Sequence, residues 1–408
     1  MSASQQIDAL LAVGGGGDYK TQVAQLNVIT DDLVKRGAEE DVKRLVQKLG
    51  ADEVPQQVSR PGLLHLSNAL VTALSRDEVF VNLANLVIQS LRQHDEADYV
   101  LRMGLFHYYV KEDDNRSAGM ILAGLNFSEN SNKSLSVDGK ADIYLKIAEA
   151  FLMDDESSAE QAETFAQKAS ALMSDVSNNS VAGQIIHLRY KSTHARVLDA
   201  NRKFVDAAMR YYELSITSQE TIDLLNLKAG ELLTYLGKAV TCVVLGKAGP
   251  QRSRVLGVLF KDDRLHQLDY QDGFTSHASI LTKMYTEQLL RRDELATFEK
   301  SLAEHQKAIT ADGFTFPEKA VIEHNMLAAG KLYDNIHFSE LGSLLRLDAV
   351  KAERVAARMV TEDRLKAAID QTESLLVYLN DDDALYSWDL RIQDVCNEIG
   401  EACDLICS

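Results

Sequence analysis

Four prolines are spread over 408 residues, while Ala, Leu, Glu, Lys and Gln are plentiful. A proline in a helix interior removes a hydrogen-bond donor and collides with the preceding turn, so its scarcity permits long uninterrupted helices. A mostly α chain is the first expectation. The length and the 46% hydrophobic content suit two or three ordinary cores. Between residues 19 and 124 apolar residues such as Leu83, Leu86, Val87 and Leu91 recur at helical spacings, and polar turns such as His94-Asp95-Glu96 break them. That pattern predicts antiparallel helical hairpins. The polar stretch from Asn126 to Gly139 reads as a loop.

Beyond the loop the helices come in pairs. Ile143, Tyr144, Ile147, Ala148 and Phe151 share one face, followed by Ala159, Ala162, Phe165, Ala166, Ala169 and Met173 on the next. A second pair carries Ala195, Val197 and Leu198, then Phe204, Ala207, Ala208, Tyr211 and Leu214. Each pair leaves an apolar face that another pair must cover, which predicts a degenerate helical-repeat solenoid of tetratricopeptide or HEAT type. The expected divisions are a helical-repeat arm over 1–125, a second helical-repeat part over 140–335, a winged-helix subdomain over 336–380 and a terminal helix over 384–408.

The winged helix is read from a change of period. Phe338, Leu341, Leu344 and Leu345 make a short helix, a turn follows at Leu347-Asp348, and Val355, Ala356 and Met359 lie on a second helix. The period then shortens to two in Leu365, Ala367 and Ile369 and again in Leu375, Val377 and Leu379, with Asp370 to Glu373 as the turn. Such a hairpin is marginal alone, so it should lie on helices, and the strand bearing Leu375, Val377 and Leu379 is expected to offer a free edge to another chain. After it, Leu385, Trp388, Ile392, Val395, Ile399, Ala402 and Ile406 recur at spacings of three and four. A seam of that kind belongs to a coiled coil or helix bundle and predicts a partner helix.

The formal charge of −18 repels phosphate backbones and anionic membranes. The winged-helix stretch 338–380 carries six basic and seven acidic residues, although Lys351, Arg354 and Arg358 share a face of its second helix. A nucleic-acid reader would show a basic domain, so neither nucleic acid nor membrane is expected as a partner. No apolar run approaches the roughly 20 residues of a bilayer span, and no charged n-region precedes an apolar core at the start. Cys242, Cys396, Cys403 and Cys407 lack the spacing of a disulfide framework and suit a reducing compartment, cytosol or nucleus.

Candidate chemistry is thin. Gly14 to Gly17 lacks the lysine and hydroxyl ending of a phosphate loop and reads as a tether. His187 and His194 lie seven positions apart, roughly 10 Å along a helix, too far to share one metal. Cys396, Cys403 and Cys407 share a flank of the seam and read as apolar filling. No cofactor, metal or catalytic residue is expected. Pro250 fits a helix's first turn, and Arg252 and Arg254 are expected to bridge neighbouring helices through carboxylates such as Asp262 and Asp263.

A helical solenoid followed by a winged helix and a long terminal helix resembles the PCI-domain proteins, the scaffold subunits of the proteasome lid, the COP9 signalosome and a translation initiation complex. The segments ARVLDANRKFVDAAMRYYELS at 195–215, AGPQRSRVLGVLFKDDRL at 248–265, and HQKAITADG and AVIEHNMLAAGKLYDNIHFSELGSLL within 304–345 are similar to the signalosome branch. The resemblance implies a non-catalytic scaffold and substrate-sensing subunit of a complex that removes a ubiquitin-like modifier from cullin-RING ubiquitin ligases. It also implies partners: PCI neighbours, a catalytic metalloprotease pair, and a neddylated ligase held by the N-terminal arm. A cytoplasmic and nuclear location goes with them. The stretch Tyr270 to Ser279 looks like an added loop. A proteasome-lid scaffold and a winged-helix nucleic-acid binder are the alternatives.

Overall fold

The computed structural model describes residues 19–50, 54–73, 78–91, 94–125, 135–154, 158–177, 180–217, 229–310, 312–379, and residues 392 and 395. The chain forms two compact units, residues 1–202 with 217–227, and residues 203–216 with 228–408.

The first unit is a stack of helices: α1 (Tyr19–Arg36), α2 (Glu39–Leu49), α3 (Gln56–Ala73), α4 (Glu78–Ser90), α5 (Asp95–Lys111), α6 (Asn115–Ala123), α7 (Val137–Met153), α8 (Ala159–Leu172) and α9 (Val181–Ala200). Contacts run from neighbour to neighbour, with α1 on α3, α3 on α5, α5 on α6, α6 on α7, and α7 on both α8 and α9. Stacking of this kind builds a core by accretion. Leucines dominate the first half, including Leu26, Leu45, Leu66, Leu83 and Leu101. Each contributes about 1.5–3 kcal/mol on burial. Helices approach closely because small residues let them: a Cβ at Gly62 would sit 2.4 Å from Leu26 Cδ2. Ala162 and Ala166 of α8 likewise lie in one core with Phe151 of α7, whose ring stacks on Phe165. Arg189 of α9 ties this pair further, holding Glu149 of α7 at 2.6 Å and also bonding Asp142.

The second unit continues with α10 (Phe204–Ser215), α11 (Ala229–Leu245), α12 (Pro250–Phe260), a 3-10 turn (Asp263–Tyr270), α13 (His277–Tyr285), α14 (Arg292–Glu299), a short 3-10 turn (Glu304–Lys307) and α15 (Phe316–Ala329). Pro250 and Pro317 stand in the first turns of α12 and α15, where the missing N–H has no intrahelical partner to lose. Thr315 caps α15, accepting from the Glu318 N–H at 3.3 Å while Glu318 accepts from the Thr315 N–H at 3.1 Å. The stretch read as an added loop is in part structural: Tyr270 ends a helical turn, Phe274 packs on Gly237, and the buried His277 opens α13.

The unit closes with β1 (Asn335–His337), α16 (Phe338–Leu345), α17 (Ala349–Thr361), β2 (Ala367–Asp370) and β3 (Leu375–Tyr378). This is the winged helix. Phe338, Leu341, Leu345, Val355, Ala356 and Met359 point into one core with Ile322, Met326 and Ala329 of α15.

Candidate functional site

The sheet of the winged helix has the order β1-β3-β2, antiparallel throughout. β3 pairs Leu376 with Ile336 of β1 on one side and with Ile369 of β2 on the other. The strand bearing Leu375, Val377 and Leu379, expected to offer a free edge, is therefore the central one, and that expectation is corrected. Both ladders of β3 are occupied, so the outer sides that no described strand covers belong to β1 and β2. The core-facing side chains of β3 are Leu376 and Tyr378, whereas Leu375 and Val377 are half-buried on the opposite face and Leu379 is exposed.

Tyr378 fastens the sheet to α15. Its hydroxyl donates to the Met326 carbonyl at 2.9 Å, and burial holds its pKa above the usual phenol range. Its ring lies over Gly330, where a Cβ would stand 2.7 Å from Cδ1.

Charged groups complete the junction. Glu323, 1% exposed in the middle of α15, accepts from Arg364 at 2.5 and 3.2 Å and from the Ala248 N–H at 3.1 Å. Arg364 also donates to the Ala248 carbonyl at 3.1 Å and to Glu362 at 2.7 Å, so the turn after α17, helix α15 and the α11–α12 connection meet at one carboxylate. Arg252 is buried beside this cluster and donates to the Gly246 carbonyl at 3.2 Å. Burial pulls its pKa down to about 10 against the opposing field of Glu323. The expected bridge to Asp262 is not made, because Arg264 occupies that carboxylate at 2.7 Å, and Arg254 is exposed. A second clamp joins Asp312 to Arg358 of α17 at 2.6 Å and to Lys319 of α15 at 2.9 Å. The two donors hold the Asp312 carboxyl well below its ordinary range.

Arg358 is thereby spent on internal structure, leaving Lys351 and Arg354 exposed on the face of α17 that a nucleic-acid binder would use. Among the described residues no group of His, Cys, Asp and Glu is disposed to hold a metal. His187 is half-buried, and the ring of His194 stacks on Tyr190. Cys242 lies fully buried in α11. Of the terminal seam, Ile392 and Val395 are helical and 52% and 53% exposed. Leu385, Trp388, Ile399, Ala402, Ile406, Cys396, Cys403, Cys407 and Gly14 to Gly17 lie outside the described residues.

A helical stack whose last helix, α15, is buried between the preceding helices and a winged helix defines the PCI class of scaffold proteins, and residues 259–379 match the PCI domain family. Residues 17–222 match the family described as PSMD12/CSN4, N-terminal. The chain is 34% identical over 401 residues to COP9 signalosome complex subunit 4 of Arabidopsis thaliana, covering 97% of each protein. It is 42% identical over 306 residues to the Drosophila melanogaster protein of the same name, covering 75% of this chain and 70% of that one. The Dictyostelium discoideum protein of that name is 35% identical over 93% of this chain and 91% of its own. The chain belongs to the COP9 signalosome subunit 4 family.

Proposed function

We propose that this chain is a non-catalytic scaffold and substrate-sensing subunit of a COP9 signalosome acting on cullin-RING ubiquitin ligases. The observation that carries the reading is similarity running through both the helical arm and the winged helix to proteins named as subunit 4 of that complex. The two surfaces suited to assembly differ in kind. An outer strand of the winged-helix sheet, β1 or β2, pairs with the sheet of a PCI neighbour, main-chain hydrogen bonds supplying the affinity. The terminal seam of Leu385, Trp388, Ile392, Val395, Ile399, Ala402 and Ile406 packs among helices of the other subunits, including the catalytic metalloprotease pair; exposure of Ile392 and Val395 supports this role.

The arm, residues 1–125, contacts the neddylated ligase. Contact shifts the subunit between two positions, and the difference in contact energy reaches an active site carried by another chain. The complex works in cytoplasm and nucleus. Affinity purification of the tagged chain from its source cells, full-length and truncated after Asp381, followed by mass spectrometry, tests the assignment. Full-length protein is expected to bring down signalosome subunits and the truncated form to lose them. Recovery of proteasome-lid subunits, or of none, overturns the reading.

A further inference from the structure

The face of α17 that carries Lys351 and Arg354 begins at the rim of a cavity. A groove of about 360 Å³ lies between the segment preceding α14, helix α15 and the α16–α17 turn. Leu290, Ile322, Leu344, Leu347 and Phe314 make its apolar walls. Asn325 fixes one wall in place, accepting from the Leu290 N–H at 2.8 Å and donating to the Leu290 carbonyl at 3.0 Å. The Lys351 Nζ stands 6.0 Å from the centre of the Phe314 ring, so groove and basic helix face form one surface.

Its charge runs against that of the chain. Arg346 lines the groove and is exposed, and Lys351 and Arg354 follow on α17, also exposed. Arg358, one turn further along, is tied to Asp312, and Arg291 on the other wall acts on Glu294. The carboxylates nearby have other work. Asp348 stands at the N-cap of α17, where the positive end of the helix offsets it, and Glu318 accepts from the Thr315 N–H in capping α15. The excess is therefore basic in a chain of formal charge −18, and Val350, 60% exposed, adds an apolar contact among these cations. Apolar walls with a basic border call for an acidic occupant with an apolar anchor.

The surface is also longer than the cavity. From the start of α17 to Arg354 it runs a further distance of about 8 Å along the helix, which a small molecule seated in the groove would leave uncovered. A nucleic acid would bring a polar base against leucine walls, where Asn325 is already bound to Leu290, and would meet a winged helix with six basic and seven acidic residues. A peptide suits both parts. We propose that this surface binds an acidic peptide segment of a partner protein, one apolar side chain entering the groove and carboxylates lying along Arg346, Lys351 and Arg354. The contact uses neither an outer strand of the sheet nor the terminal seam. Testing it needs only the chain and a peptide, so its failure is distinct from failure of the assignment to a complex.

Fluorescence anisotropy of a labelled synthetic peptide, glutamates flanking a single phenylalanine, titrated with the full-length chain is the test. Binding is expected, weakening as salt rises. Replacing the peptide's phenylalanine by alanine should weaken it about tenfold. Joint substitution Lys351→Glu and Arg354→Glu should weaken it by about tenfold or more. Both positions are exposed, so the helical circular dichroism should stay unchanged. A peptide with lysines in place of the glutamates should bind the double variant and not the unaltered chain, and hydrogen exchange in residues 344–354 should slow when the acidic peptide is bound. Absence of binding to the unaltered chain overturns the proposal, as does binding indifferent to the double substitution. A single-stranded oligonucleotide that binds in preference to the peptide and is lost in the same variant overturns it by assigning the surface to nucleic acid. Self-association of the chain that the double substitution abolishes assigns the surface to a second copy and overturns it likewise.

Discussion

The two units bury different things. In the first, the interior is mainly leucine, alanine and valine with some Phe and Ile, and the buried polar groups are mostly hydroxyls such as Thr30, Ser59 and Thr193, with Asp98, paired to Arg102, and Asp199 as the charged exceptions. In the second, Arg252, His277, Glu323, His324 and Asn325 are all buried, several within one helix. Apolar accretion is tolerant, because each interface depends on its neighbours alone. A charge cluster is unforgiving, because removing one member strands the others.

The sharpest way to break this contrast is Glu323→Ala. It leaves Arg364 with the partly exposed Glu362 as its remaining carboxylate and Arg252 buried without the opposing field of Glu323, and should destabilise the second unit by about 3–5 kcal/mol. Hydrogen exchange on the full chain would show lost protection in residues 316–379 with the first unit unchanged. Equal loss in both units would erase the distinction.

Acid gives the next largest effect. Burial lowers the His277 pKa to about 4, and burial followed by the field of Arg252 does the same for His324, whose Nε2 donates to the Gln288 carbonyl at 2.8 Å. Both pKa values lie below the unfolded value of about 6.5, so the neutral rings favour the folded state. That contribution is complete above pH 6.5 and is lost as pH falls from about 6.5 toward 4, on the order of 3 kcal/mol per histidine. Denaturation across this window should soften the second unit first. His277→Phe and His324→Gln should flatten the response.

The first unit is better tested by crowding. Ala162→Leu, in the core shared with Phe151, should cost about 1–3 kcal/mol, with protection lost around α7 and α8 only. A cooperative loss across the whole first unit would contradict neighbour-by-neighbour stacking. Asp312→Asn should have the smallest effect, about 1 kcal/mol, since its clamp is partly solvated. Thermal melts of the full chain would resolve it from zero.

Much of this was legible in the residues. Helices with small residues on a repeated face, such as Ala162, Ala166 and Ala169, announced both their faces and their need for neighbours. Helices α16 and α17 followed from Phe338, Leu341, Val355 and Met359 in the same way. The wing resisted for two physical reasons. Leu375-Leu376-Val377-Tyr378 is apolar at every position, so alternation cannot say which face is inward. Strand β1 has three residues and meets its partner some forty positions later, a pairing with no local signal. The Glu323 clamp left a trace in Glu323-His324-Asn325, three polar residues amid an apolar helix, but their distant partners could not be named from spacing.

The chain leaves the winged helix from β3, the middle strand, with its N–H and C=O groups engaged by β1 and β2. A pull along that strand from the residues beyond it therefore loads both ladders at once in shear, instead of peeling an outer strand one bond at a time. Tension arriving at the end of β3 meets two ladders and then α15, by way of the Tyr378 hydroxyl on the Met326 carbonyl.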